Sequence, residues 1–166
     1  MKTLFTLAVV CLSVGATYAQ QVFTVKDFLA AQKVQSGAQV MGAGSTSKSS
    51  VESLLFGVQP TIVFQKNQKA VSGNTPAVVL STDATSLSQL VTMADRPAKV
   101  QVLEIAIDSK KDLQAAIVTQ AMLDNLSNVK YIYFKSQVPC TAADIKKLIP
   151  ATLTGITVLF DVQQPS

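Results

Sequence analysis

Three aspartates occupy one kind of position in this sequence, each just past an apolar run. Asp83 follows Leu80-Ser81-Thr82, Asp108 follows Ile107, and Asp161 follows Phe160. If those runs are neighbouring parallel strands, the carboxylates line one sheet edge. Three oxygen ligands there suit a hard cation such as Mg²⁺ or Ca²⁺, and paired carboxylates suit acid–base chemistry. A plainer reading competes. Asp83 and Asp108 lie beside helix starts, where Asp and Ser satisfy free N–H groups and complement the helix dipole. Asp161 needs no special reason.

Cys140 is the second chemical candidate. It follows an apolar run and precedes Thr141 at a helix start, where a helix N-terminus can lower a thiol pKa. That makes it the candidate reactive thiol. It has no Cys-x-x-Cys partner, and the chain has no histidine to act as its base. A half-buried structural thiol is the alternative, and a homodimer through Cys140 is a third.

Several motifs fail on inspection. Gly42-Ala43-Gly44-Ser45 is glycine-rich, but no Gly-Lys-Ser/Thr follows and no strand precedes it, as a phosphate loop requires. Ser45-x-x-Lys48 has penicillin-binding spacing without the partner motifs. Asp83-Ala84-Thr85-Ser86-Leu87-Ser88 puts Leu87 where a metal-ion-dependent adhesion loop needs a ligand. Tyr131 and Tyr133 alternate with Ile132 and Phe134, so both tyrosines share a sheet face, with a helix over them and hydroxyls toward the rim. A bare face would be a binding surface. Asn125-Leu126-Ser127 is a glycosylation sequon at the end of an apolar helix, a poorly accessible place.

Absences narrow the chemistry further. Without histidine, Ser-His-Asp and Cys-His catalysis and nearly all catalytic zinc sites are excluded. The net charge of +4 comes from scattered lysines and a single arginine, Arg96, unlike the clustered basic footprint of nucleic-acid grooves. Tryptophan is absent and aromatics make up 6%, which disfavours a stacked-ring sugar platform. No cofactor is implied.

The N-terminus reads as an export leader. Lys2 is the positive n-region, Leu4 to Val14 the apolar h-region, and Thr17 and Ala19 the small residues before a cut at Gln20. Val9 and Val10 before Cys11 do not suit lipidation. The apolar run is shorter than the roughly 20 residues of a spanning helix, so no transmembrane anchor is expected. Cleavage after Ala19 removes Lys2 and Cys11, leaving Cys140 as the one thiol and ruling out an intramolecular disulfide. A periplasmic or secreted location follows.

The elements that must hold these groups fall into two parts. Residues 20–75 are mixed: a helical pattern after Thr24 with Val25, Phe28 and Leu29, and a small-residue linker over 36–50. A capping box Ser49-x-x-Glu52 then opens a helix ending at Gly57, a strand spans Thr61 to Phe64, and turns run from Lys66 to Pro76. Residues 76–166 alternate. Apolar strands run over Ala77–Leu80, Val100–Ile107, Lys130–Phe134 and Ile156–Phe160. Helical spacing joins them through Leu87–Ala94, Lys110–Leu126 and Thr141–Ile149. The β-α-β-α-β-α-β order predicts an α/β fold with a parallel or mostly parallel sheet of about 4–5 strands, and residues 20–166 form one globular unit.

The spacing near 25 residues also fits repeats. Leu153-x-x-Ile156-x-Val158-x-x-Asp161 resembles the leucine-rich-repeat signature, with Asp at the Asn position, and Leu126-x-x-Val129-x-Tyr131 matches its first half. The resemblance implies a short α/β solenoid used in protein binding. Phe134 stands where the Asn ladder would continue, and Pro97-x-x-Val100-x-Val102 matches less well, so the solenoid is the alternative to the open sheet. The function expected is a small exported, non-catalytic binding or interaction domain for an unknown protein or small ligand. The alternative is a carboxylate- or thiol-based enzyme, or a metal-binding domain, at the strand carboxyl edge.

Overall fold

The computed structural model describes residues 21–37, 50–66, 68–74 and 76–163. The expected leader and most of the expected 36–50 linker, Ser49 of the expected capping box included, lie outside the described residues; Ser36 and Gly37 end one helix and Ser50 begins the next.

Apolar alternation produces strands, and the strands form one sheet of seven: β1 (Val22–Thr24), β2 (Thr61–Gln65), β3 (Gln68–Ser72), β4 (Val79–Asp83), β5 (Val102–Ile107), β6 (Tyr131–Ser136) and β7 (Thr157–Val162). Their spatial order is β1-β7-β6-β5-β4-β2-β3, and all pairings are parallel except β2 with β3. The sheet is larger than the expected four or five strands. The two extra strands that apolar runs did not announce are β1, three residues long, and β3, exposed at every position. Both lie at the edges of the sheet, where little burial is required.

Connections from β4 through β7 step one strand at a time, while the chain between β1 and β2 returns across the sheet. Right-handed crossovers place connections of opposite direction on opposite faces. Two buried clusters follow from this. On the first face, Leu80, Leu103, Ile105, Ile132, Phe134 and Val158 meet Leu87, Leu90, Met122, Leu126, Ile145 and Leu148. On the second, Val79, Val102, Tyr133 and Leu159 meet Val25, with Phe28, Leu29, Leu54 and Leu55 packed alongside. The stepwise β4–β7 run is what a solenoid would also give. Helices on both faces make the whole a mixed, doubly covered sheet.

The covering helices are α1 (Val25–Gly37), α2 (Ser50–Phe56), α3 (Lys110–Ala115), α4 (Gln120–Asp124) and α5 (Ala142–Lys146), with a 3₁₀ turn over Leu87–Val91. Three of them begin with the same device, a Ser or Thr accepting the N–H of an Asp three residues on. The pairs are Thr24 with Asp27, Ser109 with Asp112, and Thr141 with Asp144. Gly57 closes α2, donating to the Ser53 carbonyl at 2.8 Å; a β-carbon there would collide with that oxygen.

The helix expected over Lys110–Leu126 is broken into α3 and α4. Ile117-Val118-Thr119 is a β-branched run that weakens helix formation. The break also lets the Val118 N–H donate to the Leu148 carbonyl at 2.7 Å while Ala116 and Val118 go into the core. Tertiary contacts override the helical spacing. Leu87–Ala94 likewise contracts to the short 3₁₀ turn.

Candidate functional site

Each of the three aspartates has a separate fate. Asp83 ends β4, and its carboxylate accepts from the Lys66 N–H (2.9 Å), the Thr85 hydroxyl (2.7 Å) and the Ser86 N–H (2.7 Å). Partial burial opposes its charge, but those donors together with the Ser86 side chain outweigh burial and hold the carboxyl below its ordinary value. Its work is mechanical: it ties the 3₁₀ turn to the β2–β3 turn, where Lys66 takes a left-handed φ of 48°. Asp108 is exposed, one residue before the cap Ser109. Asp161 lies on β7, with β5 and β6 between it and Asp83, roughly 14 Å away at normal strand spacing. The structure does not bring the three together. Among the described residues no group of three or more His, Cys, Asp or Glu is gathered as a metal would need.

Cys140 is half-buried just before α5. Burial pushes its thiol pKa up, the Ser136 hydroxyl draws it down, and the Asp144 carboxylate adds to the upward push. The net direction is upward, away from a ready thiolate. The five-residue α5 spends its first N–H groups on Thr141 and Asp144. The Asn125 side chain is also occupied, donating to the Leu90 and Val91 carbonyls at 2.9 and 3.0 Å. The amide nitrogen of the sequon is thus a structural clamp between α4 and the 3₁₀ turn.

A different group of residues assembles on the second face, toward the strand carboxyl ends. In register, Ser81 of β4 stands beside Glu104 of β5, Glu104 beside Tyr133 of β6, and Lys135 beside Asp161 of β7. Side chains two apart on a strand share a face, so Tyr133 and Lys135 join one patch with Glu104 and Asp161. Glu104 Oε1 accepts from the Ser81 hydroxyl at 3.0 Å and lies 3.6 Å from Lys135 Nζ. Asp161, half-buried, makes no ion pair or hydrogen bond among the described residues.

Tyr133 is the unusual member. Its side chain is 1% exposed, and its hydroxyl is sealed from solvent with no hydrogen-bond partner. Buried polar groups in folded proteins almost always have partners, so an orphan needs an explanation. The Phe56 ring packs edge-on against Tyr133 with centroids 6.4 Å apart, and Phe28 does the same to Tyr131 at 6.2 Å. The expected sharing of one helix-covered face by the two tyrosines is what the structure has; the Tyr133 hydroxyl is buried rather than at the rim. Burial first, then the Asp161 and Glu104 carboxylates, push the phenol well above its ordinary pKa, so it is a neutral O–H.

Sequence reasoning missed this group because its members belong to four strands of unstated order. A signal was present: Ser81, Glu104 and Lys135 interrupt otherwise apolar strands. Away from this patch, at the strand amino ends, lies a half-open cleft of about 340 Å³ lined by Gln120, Leu123, Leu126, Thr152, Thr154 and Ile156. It carries no charged side chain. No helix among the described residues is long and apolar enough to cross a membrane. Compared with family models, curated proteins and solved structures, the chain matches none.

Proposed function

We propose that this protein is a small, exported, non-catalytic binding domain whose ligand seats on the second sheet face, against Tyr133, Glu104, Lys135 and Asp161. One observation carries the reading: a fully buried hydroxyl without a partner, on a sheet face where a charged row borders the apolar Val79, Val102 and Leu159. Convergent polar groups framed by apolar walls are the usual make-up of a small-ligand site. Phe56, 56% exposed, and half-buried Leu55 supply the apolar wall.

Catalysis gains no comparable support. The Cys140 thiol is shifted away from its reactive form, and Asp83 is consumed by three donors. A disulfide-linked dimer through Cys140 is a separate proposal; an exclusively monomeric band on non-reducing electrophoresis would reject it.

Two-dimensional NMR of the mature chain against small amines, polyols and carboxylates tests the binding reading. Saturable shifts centred on residues 104, 133, 135 and 161, with no turnover of ester, amide or phosphoester substrates, are expected. Absence of any saturable shift, or turnover that Tyr133→Phe abolishes, would reject it.

A further inference from the structure

Charge and donor arithmetic narrow the ligand class, an inference that rests on the binding reading above. The patch holds two carboxylates, Glu104 and Asp161, and one ammonium, Lys135, which stands 3.6 Å from Glu104. Asp83, the next acid on this face, is already occupied by Lys66, Thr85 and Ser86. One negative charge, that of Asp161, is left unbalanced in a half-buried place. Burying such a charge without a partner is costly. An anion placed here would meet two carboxylates. A neutral polyol would leave the Asp161 charge as it is. A divalent metal would want several oxygen ligands gathered around it, and the described residues gather no such set.

Tyr133 supplies the remaining constraint. A neutral phenol offers one O–H donor and oxygen lone pairs, and here none of these is used. Acceptors therefore dominate the patch: the Asp161 carboxylate, the Glu104 oxygen not held by Ser81, and the Tyr133 oxygen. A primary ammonium has three N–H donors and no acceptor. We propose that the Tyr133–Glu104–Asp161 patch is a binding site for a small organic cation presenting a primary ammonium, its alkyl part lying against Phe56. Charge-assisted N–H···O bonds from such a group to carboxylates are the strong kind. Phe56 is 56% exposed and packs edge-on against Tyr133, so a ligand reaching the buried hydroxyl would have to displace that ring.

Calorimetric titration of the mature chain with 1,4-diaminobutane and ethylammonium tests this, with glycerol and acetate as neutral and anionic comparators. Saturable binding of the amines is expected, weakening with salt. Asp161→Asn should weaken it by about 10-fold or more and Tyr133→Phe by about 3- to 10-fold, in line with the loss of one charged and one neutral hydrogen bond. Tyr133→Phe keeps the packing of the ring, so its fold is secure, and circular dichroism checks both variants. Amine binding unchanged by both variants would overturn the proposal. Saturable binding of glycerol or acetate alone, sensitive to Tyr133→Phe, would overturn the ammonium assignment and leave the binding reading standing. No saturable binding by any of the four probes would overturn both.

Discussion

The two faces of this sheet are made from the same strands and are built differently. Phe134 and Tyr133 are chain neighbours, both essentially without exposure, and they point to opposite sides. Phe134 enters a continuous apolar core that runs the width of the sheet beneath the 3₁₀ turn, α4 and α5. Tyr133 enters a smaller cluster under α1 and α2 that gives way to Ser81, Glu104, Lys135 and Asp161. The first face also buries two strand hydroxyls, Thr82 and Ser136, but each donates to a nearby carbonyl, of Asp83 and Val138 respectively, and this face holds the larger core. The second is then free to carry charges and an unpartnered hydroxyl that a sole core could not tolerate. The lesson is a division of labour between residues one position apart.

The sharpest way to break the comparison is Phe134→Ala. The first face should lose about 3–5 kcal/mol, the usual cost of emptying a buried aromatic site, read by chemical denaturation; a loss under about 1 kcal/mol would show that this face does not dominate stability. On the second face, Lys135→Ala removes the cation beside Glu104. Both side chains keep some exposure, 36% and 19%, so screening limits the expected loss to about 1 kcal/mol or less. Tyr133→Phe should go the other way. Deleting a buried hydroxyl that bonds to nothing should leave stability unchanged or raise it by up to about 1 kcal/mol, and a clear loss would mean the hydroxyl is bonded after all. The same substitution has an alkaline signature. Because the folded phenol is raised above its ordinary value of 10.0, its contribution is whole below about pH 10 and falls as pH rises beyond it. The variant should lose that part of the alkaline decline.

The smallest effect is expected at Asp83, where the shift is modest. Its folded carboxyl is lowered from 3.8, so its stabilisation is present above about pH 4 and is lost as pH falls below that value. Asp83→Asn should flatten the acid limb of a stability–pH curve there. An unchanged limb would mean that the Lys66, Thr85 and Ser86 contacts contribute nothing to folding.

The first face was largely legible in the sequence and the second was not. Leu103-x-Ile105-x-Ile107 and Ile132-x-Phe134 announce inward-pointing strands by alternation alone, and Thr141 announces its helix. Local pattern is enough for these because the reason for each residue lies within a few positions of it. The break at Ala116–Thr119 was hidden, since Leu113, Ala116, Ile117, Ala121 and Met122 keep helical spacing while Val118 bonds to Leu148, thirty residues away. β3 was hidden because Gln-Lys-Ala-Val-Ser has no face to bury. The polar patch was hidden for a third reason. Its four strands become neighbours only through the order β7-β6-β5-β4, and strand order is set by the whole fold.

The pairing of β1 with β7 has a kinetic consequence. Val22 lies against Val158 and Phe23 against Leu159, so β1, the first strand of the described residues, finds its neighbour only when β7, the last of them, is available. Contacts of such long sequence separation form slowly, because a large loop must close before they reward the chain. During vectorial synthesis, β4 to β6 can assemble stepwise while Val22–Thr24 waits. Leu159 is also the floor on which Val25 of α1 packs. The face that carries the polar patch is therefore the last to close, and a chain halted before β7 would have strands β4–β6 without a finished second face.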